Sequence, residues 1–292
     1  MSTIGLALLA GGRLAALHAA EPPPDAPGTQ RLVDAMREAA LAYTSKLPDF
    51  ICNQITHREF QRESGAGAAA SSIRTSSRGG GPPSGLVNDH DWKPIDTIEQ
   101  QLSYFSHQET YKLVSTDGRR AGAGEAAPSG MASTGEFGST LAGIFDPPSH
   151  AEFKWKKWDK LRGRPVYVFS FAVAQENSTA QIEAGSRRIV AGYHGLLFVE
   201  RDTNTFLRVT TEAEIPPDFP LQHVTHLLDY GPVVIAGEHY VLPIHSEMES
   251  RASQDFVDSG RIGGTSPMVN FRNKIDFKGY RKYGVEATLK PE

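Results

Sequence analysis

GYHGLLFVERDTNTFLRV, residues 192–209, holds an apolar run, a polar break at Asp202-Thr203-Asn204-Thr205 and a second apolar run. Two short apolar runs around a polar break read as a β-hairpin. A turn at Thr203-Asn204 places Arg201 opposite Phe206, Val199 opposite Arg208 and Phe198 opposite Val209, because side chains alternate faces along a strand. One face is then apolar and carries Leu196, Phe198, Leu207 and Val209. The other mixes Leu197, Val199 and Phe206 with Arg201 and Arg208. An antiparallel sheet with one packed and one wetter face produces this asymmetry. The four residues of the apolar face are the candidate lining of a cavity on the concave side of such a sheet.

Strands continue on both sides of the hairpin. Residues 165–173 are apolar on both faces, with Val166 and Val168 on one and Tyr167, Phe169, Phe171 and Val173 on the other, as in a central strand covered on two sides. Further strands are expected at 50–60, 95–105, 111–115, 187–190, 221–230, 231–236 and 240–248. Val269, Phe271, Ile275 and Phe277 alternate with polar residues, Lys278-Gly279 is expected to turn the chain, and Tyr283, Val285, Ala287 and Leu289 alternate again. Strand follows strand without the long crossover helices that a parallel sheet needs. The expected fold class is α+β: a curved antiparallel meander resembling a half-barrel, with one amino-terminal helix and one short covering helix.

The first helix is expected over residues 29–47, with Thr29 as N-cap, Leu32, Met36, Ala39, Ala40, Tyr43 and Leu47 on one stripe, and Pro48 as its stop. Ser133-Thr134-Gly135-Glu136 has the spacing of a capping box. Phe137, Leu141, Ile144 and Phe145 follow on one side of a short helix ended by Pro147-Pro148.

The chain has 292 residues, 39% of them hydrophobic, enough for one all-β or α+β domain from about 29 to 292. Its 28 glycines and 19 prolines cluster, so disordered insertions are expected at about 62–92 and 117–132. The net charge of −4 provides no general attraction to nucleic acid. Cys52 is the only cysteine, which excludes an intramolecular disulfide and a cysteine-rich metal cluster. Residues 1–20 have an apolar run and end in His18-Ala19-Ala20 before Glu21, like a secretory signal peptide, although no Lys or Arg precedes the run and Arg13 interrupts it. A periplasmic or secreted protein is expected. No other stretch has the ~20 apolar residues of a membrane span.

No candidate chemistry converges. Asp258-Ser259-Gly260 resembles an aspartic-protease turn, but a single copy lacks the second carboxylate and Arg261 follows it. His223 and His226 are three apart, so on a strand they face opposite ways and cannot share a metal. His239, His245 and Glu247 need a further ligand from elsewhere. Residues 153–164 interleave lysines and arginines with Phe153, Trp155 and Trp158. The reading favoured for them is a strand with aromatics inward and lysines in water, ahead of an anionic-lipid contact. With no nucleophile and base to pair, no cofactor motif and no metal set, the sequence points to a non-enzymatic protein.

Trp158-Asp159-Lys160-Leu161-Arg162-Gly163-Arg164-Pro165-Val166 leading into a long strand, the hairpin from Gly195 to Val209, and Leu228-Asp229-Tyr230 through Gly237-Glu238-His239-Tyr240-Val241-Leu242-Pro243 together resemble the meander of periplasmic outer-membrane lipoprotein carriers and their relatives. The resemblance covers about residues 150–290. It implies a half-open antiparallel barrel closed by helices, and binding of a lipid or lipoprotein acyl group. The alternative it implies is a scaffold or sensor that binds another envelope protein and no small molecule. The turn at 202–205 lacks the glycine often seen in that family, and no ligand-contacting position carries over. The chain is also similar to uncharacterised exported bacterial proteins that begin near a Leu47-Pro48-Asp49-Phe50-like segment.

Overall fold

The amino-terminal helix starts earlier than its apolar stripe. In the computed structural model, which describes residues 21–63, 92–132, 136–260 and 267–283, α1 spans Ala26–Lys46. Asp25, not Thr29, is the N-cap: its Oδ1 accepts from the Gly28 amide at 2.7 Å. Pro27 fits the first turn because the amide it lacks would have no partner there. Leu47 turns extended ahead of Pro48, as residues before proline do. Val33, Met36 and Ala40 form the buried stripe.

The strands are β1 (Phe50–Arg62), β2 (Lys93–Phe105), β3 (Gln108–Thr116), β4 (Arg119–Arg120), β5 (Glu152–Leu161), β6 (Arg164–Val173), β7 (Gln181–Ala184), β8 (Arg187–Val190), β9 (Tyr193–Glu200), β10 (Phe206–Ala213), β11 (Leu221–Ile235), β12 (Glu238–Ser253) and β13 (Met268–Lys282). Eleven of them form one open antiparallel sheet in the order β4-β3-β2-β1-β13-β12-β11-β10-β9-β6-β5, while β7 and β8 pair separately. The short helices are α2 (Ser139–Phe145) and α3 (Gln254–Ser259). The fold is therefore the expected α+β class, a mostly antiparallel sheet with an amino-terminal and a short helix.

α1 and α2 cover one face. Met36, Leu141 and Ile144 pack onto Tyr167, Phe169, Leu197 and Tyr230. Beneath the end of α1 this core joins a second cluster around Phe50, Leu102, Phe137 and Phe277, with Tyr43 of α1 and the following Leu47 against it. β6 is buried on both faces as expected. Its aromatics meet the helices, and Val166 and Val168 join Phe198 and Leu207 on the other side.

The hairpin of β9 and β10 departs from the expected register. Val199 faces Phe206, Phe198 faces Arg208 and Leu197 faces Val209, with a shift between the first two pairs. Leu207 is the extra residue of a bulge, and one inserted residue reverses the facing of those beyond it. Val209 thus packs under the helices with Leu197, whereas Leu207 packs on the opposite face with Phe198.

Three further expectations change. Lys278-Gly279 does not turn the chain. β13 runs through it to Lys282, and Gly279, at φ +66°, takes up a register shift against Ile51 and Asn53. The two strands expected over 221–236 are one, Leu221–Ile235. Residues 117–132, soft by composition, are tied to the sheet: Arg58 Nη1 donates to the Ser129 carbonyl at 2.8 Å and Asn273 Nδ2 to that of Met131 at 2.7 Å. α2 begins after Gly138 without a side-chain cap, and Ser133-Thr134-Gly135 lie outside the described residues. So do residues 1–20, most of the insertion expected at 62–92, and the carboxy-terminal alternation beyond Tyr283.

Candidate functional site

Between the carboxy-terminal half of α1 and the sheet is a pocket of about 320 Å³. α1 contributes Ala39, Ala42 and Tyr43, Leu47 follows at its end, α2 contributes Leu141, and the sheet contributes Phe206, Tyr230, Val241 and Leu242. Small alanines on α1 leave room where larger side chains would close the gap. Lys46, Thr203, Thr205 and His239 also line it; Lys46, Thr203 and His239 are exposed, so the pocket has a polar rim over an apolar floor.

The rim is held by a tight turn. The Glu200 amide donates to the Thr205 carbonyl at 2.9 Å and the Asn204 amide to that of Glu200 at 3.0 Å. Asn204 has φ +55°, a left-handed conformation that asparagine tolerates better than most residues. Its Oδ1 accepts from the Tyr167 hydroxyl at 2.9 Å. Arg164 grips the Glu200 carboxylate with two bonds of 2.6 Å, anchoring the turn to β6.

Inside, Tyr43 and Tyr230 meet edge to face, with ring centroids 5.8 Å apart. Both hydroxyls are buried and neither has a hydrogen-bond partner. Buried tyrosine hydroxyls usually find a partner, because an unmet polar group in the interior costs about 1–3 kcal/mol. Burial pushes both phenols well above the ordinary tyrosine range, so they remain neutral donors. Both residues line the pocket through their rings, while their hydroxyls are buried beyond its surface.

The four residues singled out in the hairpin are not brought together here. Val209 is in the core under the helices, Phe198 and Leu207 form a small cluster on the opposite face, and Leu196 borders a separate trough on that face. None of the four lines the pocket under α1. Its residues come from four distant segments, and those of its floor resemble ordinary core. The one signal available in the sequence was Tyr43, a polar-tipped residue on the apolar stripe of α1.

The other candidate groups are engaged separately. The His226 ring is 2.7 Å from Ser246 Oγ, and burial pushes its pKa down to about 4. His223 lies 3.6 Å from Glu212, and His245 lies 2.9 Å from Asp276. Among the described residues no group of three or more His, Cys, Asp or Glu is arranged to hold a metal. The Cys52 thiol is buried and raised to about 12, chiefly by that burial, which leaves it a weak nucleophile. Gly260 caps α3, so Asp258-Ser259-Gly260 is the end of a short helix. Phe153 and Trp155 pack inward, while Lys154 and Lys156 are exposed.

No protein-family model matches the chain, and no curated protein sequence matches it. Solved structures do. A LolA superfamily protein from Nitrosomonas europaea is similar over 90% of this chain and 97% of its own, at 10% identity and a TM-score of 0.36. A domain described as an outer membrane lipoprotein-sorting protein, from Vibrio parahaemolyticus, is similar over 87% and 92%, at 10% identity and 0.36. A DUF1329 family protein from Desulfovibrio piger is similar over 88% and 95%, at 11% identity and 0.37. Likenesses this distant assign no residue a role. Among the described residues, no helix is long and apolar enough to cross a membrane.

Proposed function

We propose that this protein binds a lipid or lipoprotein acyl group in the pocket under α1, and that it acts in the cell envelope as a carrier and not as a catalyst. The observation that carries the reading is a pocket with an apolar floor and a polar rim, beside which the buried hydroxyls of Tyr43 and Tyr230 have no partner. A bare hydrocarbon would leave both donors unmet. An acyl ester or amide supplies a carbonyl oxygen with two lone pairs, and a tail for the floor formed by Leu141, Phe206 and Leu242. The exposed Lys46 at the rim suits an anionic group beyond the carbonyl. The volume lies at the low end for ligand pockets, so a single chain fits better than a several-chain lipid.

Export is part of the proposal. Immediately after residue 20 the chain is anchored. The Glu21 carboxylate receives two bonds from Arg201, at 2.7 and 2.8 Å, and the Pro22 carbonyl accepts from Trp158 Nε1 at 2.9 Å. Loss of residues 1–20 would therefore leave the docked start of the chain in place.

The test is to purify the protein from bacterial envelopes, sequence its amino terminus, extract it with organic solvent and analyse the extract by mass spectrometry. A mature chain starting at Glu21 with a stoichiometric acyl-bearing species is expected, together with displacement of a fluorescent fatty acid that Ala42→Phe abolishes by filling the pocket. Folded protein that yields no lipid and displaces no probe would reject the carrier reading and leave the protein-binding scaffold or sensor.

A further inference from the structure

The face of the sheet turned away from α1 and α2 carries a trough of about 520 Å³. Register explains its position. One row of cross-strand partners runs from Glu152 on β5 to Glu249 on β12, and the next row on the same face runs from Lys154 to Glu247. The residue between them on β5, Phe153, packs under the helices, so both rows face the other way.

The two ends of the trough differ in charge. On β5, Lys156 has no ion-pair partner among the described residues, and Lys154 lies 3.6 Å from the equally exposed Glu152. On β12, Glu247 and Glu249 stand two residues apart on the same face, with His245 4.0 Å from Glu247. Their cross-strand partners on β13, Arg272 and Lys274, also reach Glu59 at 2.7 and 3.6 Å and offset only part of the charge at this end. Between the charged ends Leu196, Leu227, Ser170 and Thr210 form the floor, with His194 and Glu212 3.7 Å apart beside it.

From β5 to β12 there are five strand spacings, so the ends are about 24 Å apart measured along the sheet, the length of roughly seven extended residues. We propose that the trough binds an extended peptide of about that length, acidic over Lys154 and Lys156 and basic over Glu247 and Glu249. The charge arrangement selects this occupant. The phosphate and ammonium of a single lipid headgroup are too close together to reach both ends. An anionic membrane or a nucleic acid would meet the lysines and be repelled by the glutamates. Two leucines and two hydroxyls in the floor suit small apolar side chains and backbone groups of a chain crossing the strands. The inference is independent of the acyl-binding reading, because the trough and the pocket under α1 share no residue.

Fluorescence anisotropy with three labelled heptapeptides tests it: Asp-Asp-Ser-Val-Ser-Lys-Lys, an all-acidic analogue and an all-basic analogue. The mixed peptide should bind about tenfold more tightly than either, a difference of about 1.4 kcal/mol. The double variant Lys154→Glu, Lys156→Glu makes both ends acidic and should transfer the preference to the all-basic peptide. Circular dichroism should show an unchanged fold, since both lysines are exposed. Fatty acid should not compete. Equal binding of all three peptides, no switch in the folded double variant, or retention only by anionic phosphatidylglycerol vesicles would overturn the proposal.

Discussion

Tyr43→Phe and Tyr230→Phe, singly and together, distinguish a site waiting for a ligand from a packing flaw. Each substitution keeps the ring and its edge-to-face contact and removes a buried hydroxyl that has no partner. An unmet buried hydroxyl costs about 1–3 kcal/mol, so each variant of the delipidated protein should gain about 1 kcal/mol. That gain corresponds to a rise of roughly 2–4 °C in Tm for a domain of this size. Affinity for an acyl ester should move the other way. A neutral hydrogen bond to its carbonyl is worth about 0.5–1.5 kcal/mol net, or roughly a 2- to 12-fold weaker Kd per hydroxyl. Tyr167→Phe is the control, because its hydroxyl donates to Asn204 and its loss should destabilise by about 1 kcal/mol. The assays are urea unfolding of lipid-free protein and displacement of a fluorescent probe by a fatty-acid methyl ester. Loss of stability in both pocket variants would mean that the hydroxyls are already satisfied, and unchanged ester affinity would mean that the ligand does not use them. Either result refutes the reasoning.

Other consequences can be measured directly. Arg58 is buried, makes two bonds to Asp96 at 2.7 and 2.5 Å and holds the 128–131 segment; Arg58→Met should cost about 3–5 kcal/mol, because it leaves the Asp96 charge uncompensated, and hydrogen exchange should rise across 128–131. Burial holds His226 at about 4, below its unfolded value near 6.5, so the unfolded chain takes up a proton first and stability should fall as pH drops from about 6.5 to 4. Because His226 as a residue is only half-buried, the loss should be on the order of 2 kcal/mol, and urea midpoints at pH 7 and 4.5 should show His226→Gln to be less acid-sensitive. Phe198→Ala should cost about 3–5 kcal/mol in chemical unfolding yet leave fatty-acid affinity unchanged, since Phe198 packs on the face away from the pocket.

The elements whose side-chain pattern reports burial directly were legible in the sequence. β6 is apolar on both faces and is covered on both faces. α1 follows its stripe, and only its start was misplaced, because Asp25 and Pro27 precede the first apolar residue. Facing in the hairpin was not legible. The bulge at Leu207 costs one residue of register and separates Leu207 from Val209, and composition carries no mark of it. Gly279 misled in the opposite sense, since a glycine with positive φ serves a turn or a bulge equally well. The pocket was illegible for a different reason. Its residues come from α1, α2, the 203–206 turn and the β11–β12 hairpin, and only tertiary packing reveals that two tyrosines among them lack partners.

The pairing of β1 with β13 has a bearing on how the chain is made. Phe50 sits opposite Lys282 and Phe60 opposite Phe271, so a strand from near the beginning joins one from near the end in the middle of the sheet. Contacts this distant in sequence slow folding, because a large loop must close before they form. While synthesis or export proceeds from the amino terminus, β1 to β4 can pair only with one another. β1 keeps an open edge of unpaired amides and carbonyls until residues 268–282 emerge, and β12 waits with an edge of its own. Such edges invite pairing between chains. A chain halted before Met268 would carry two of them, and β13 is the segment that seals both at once.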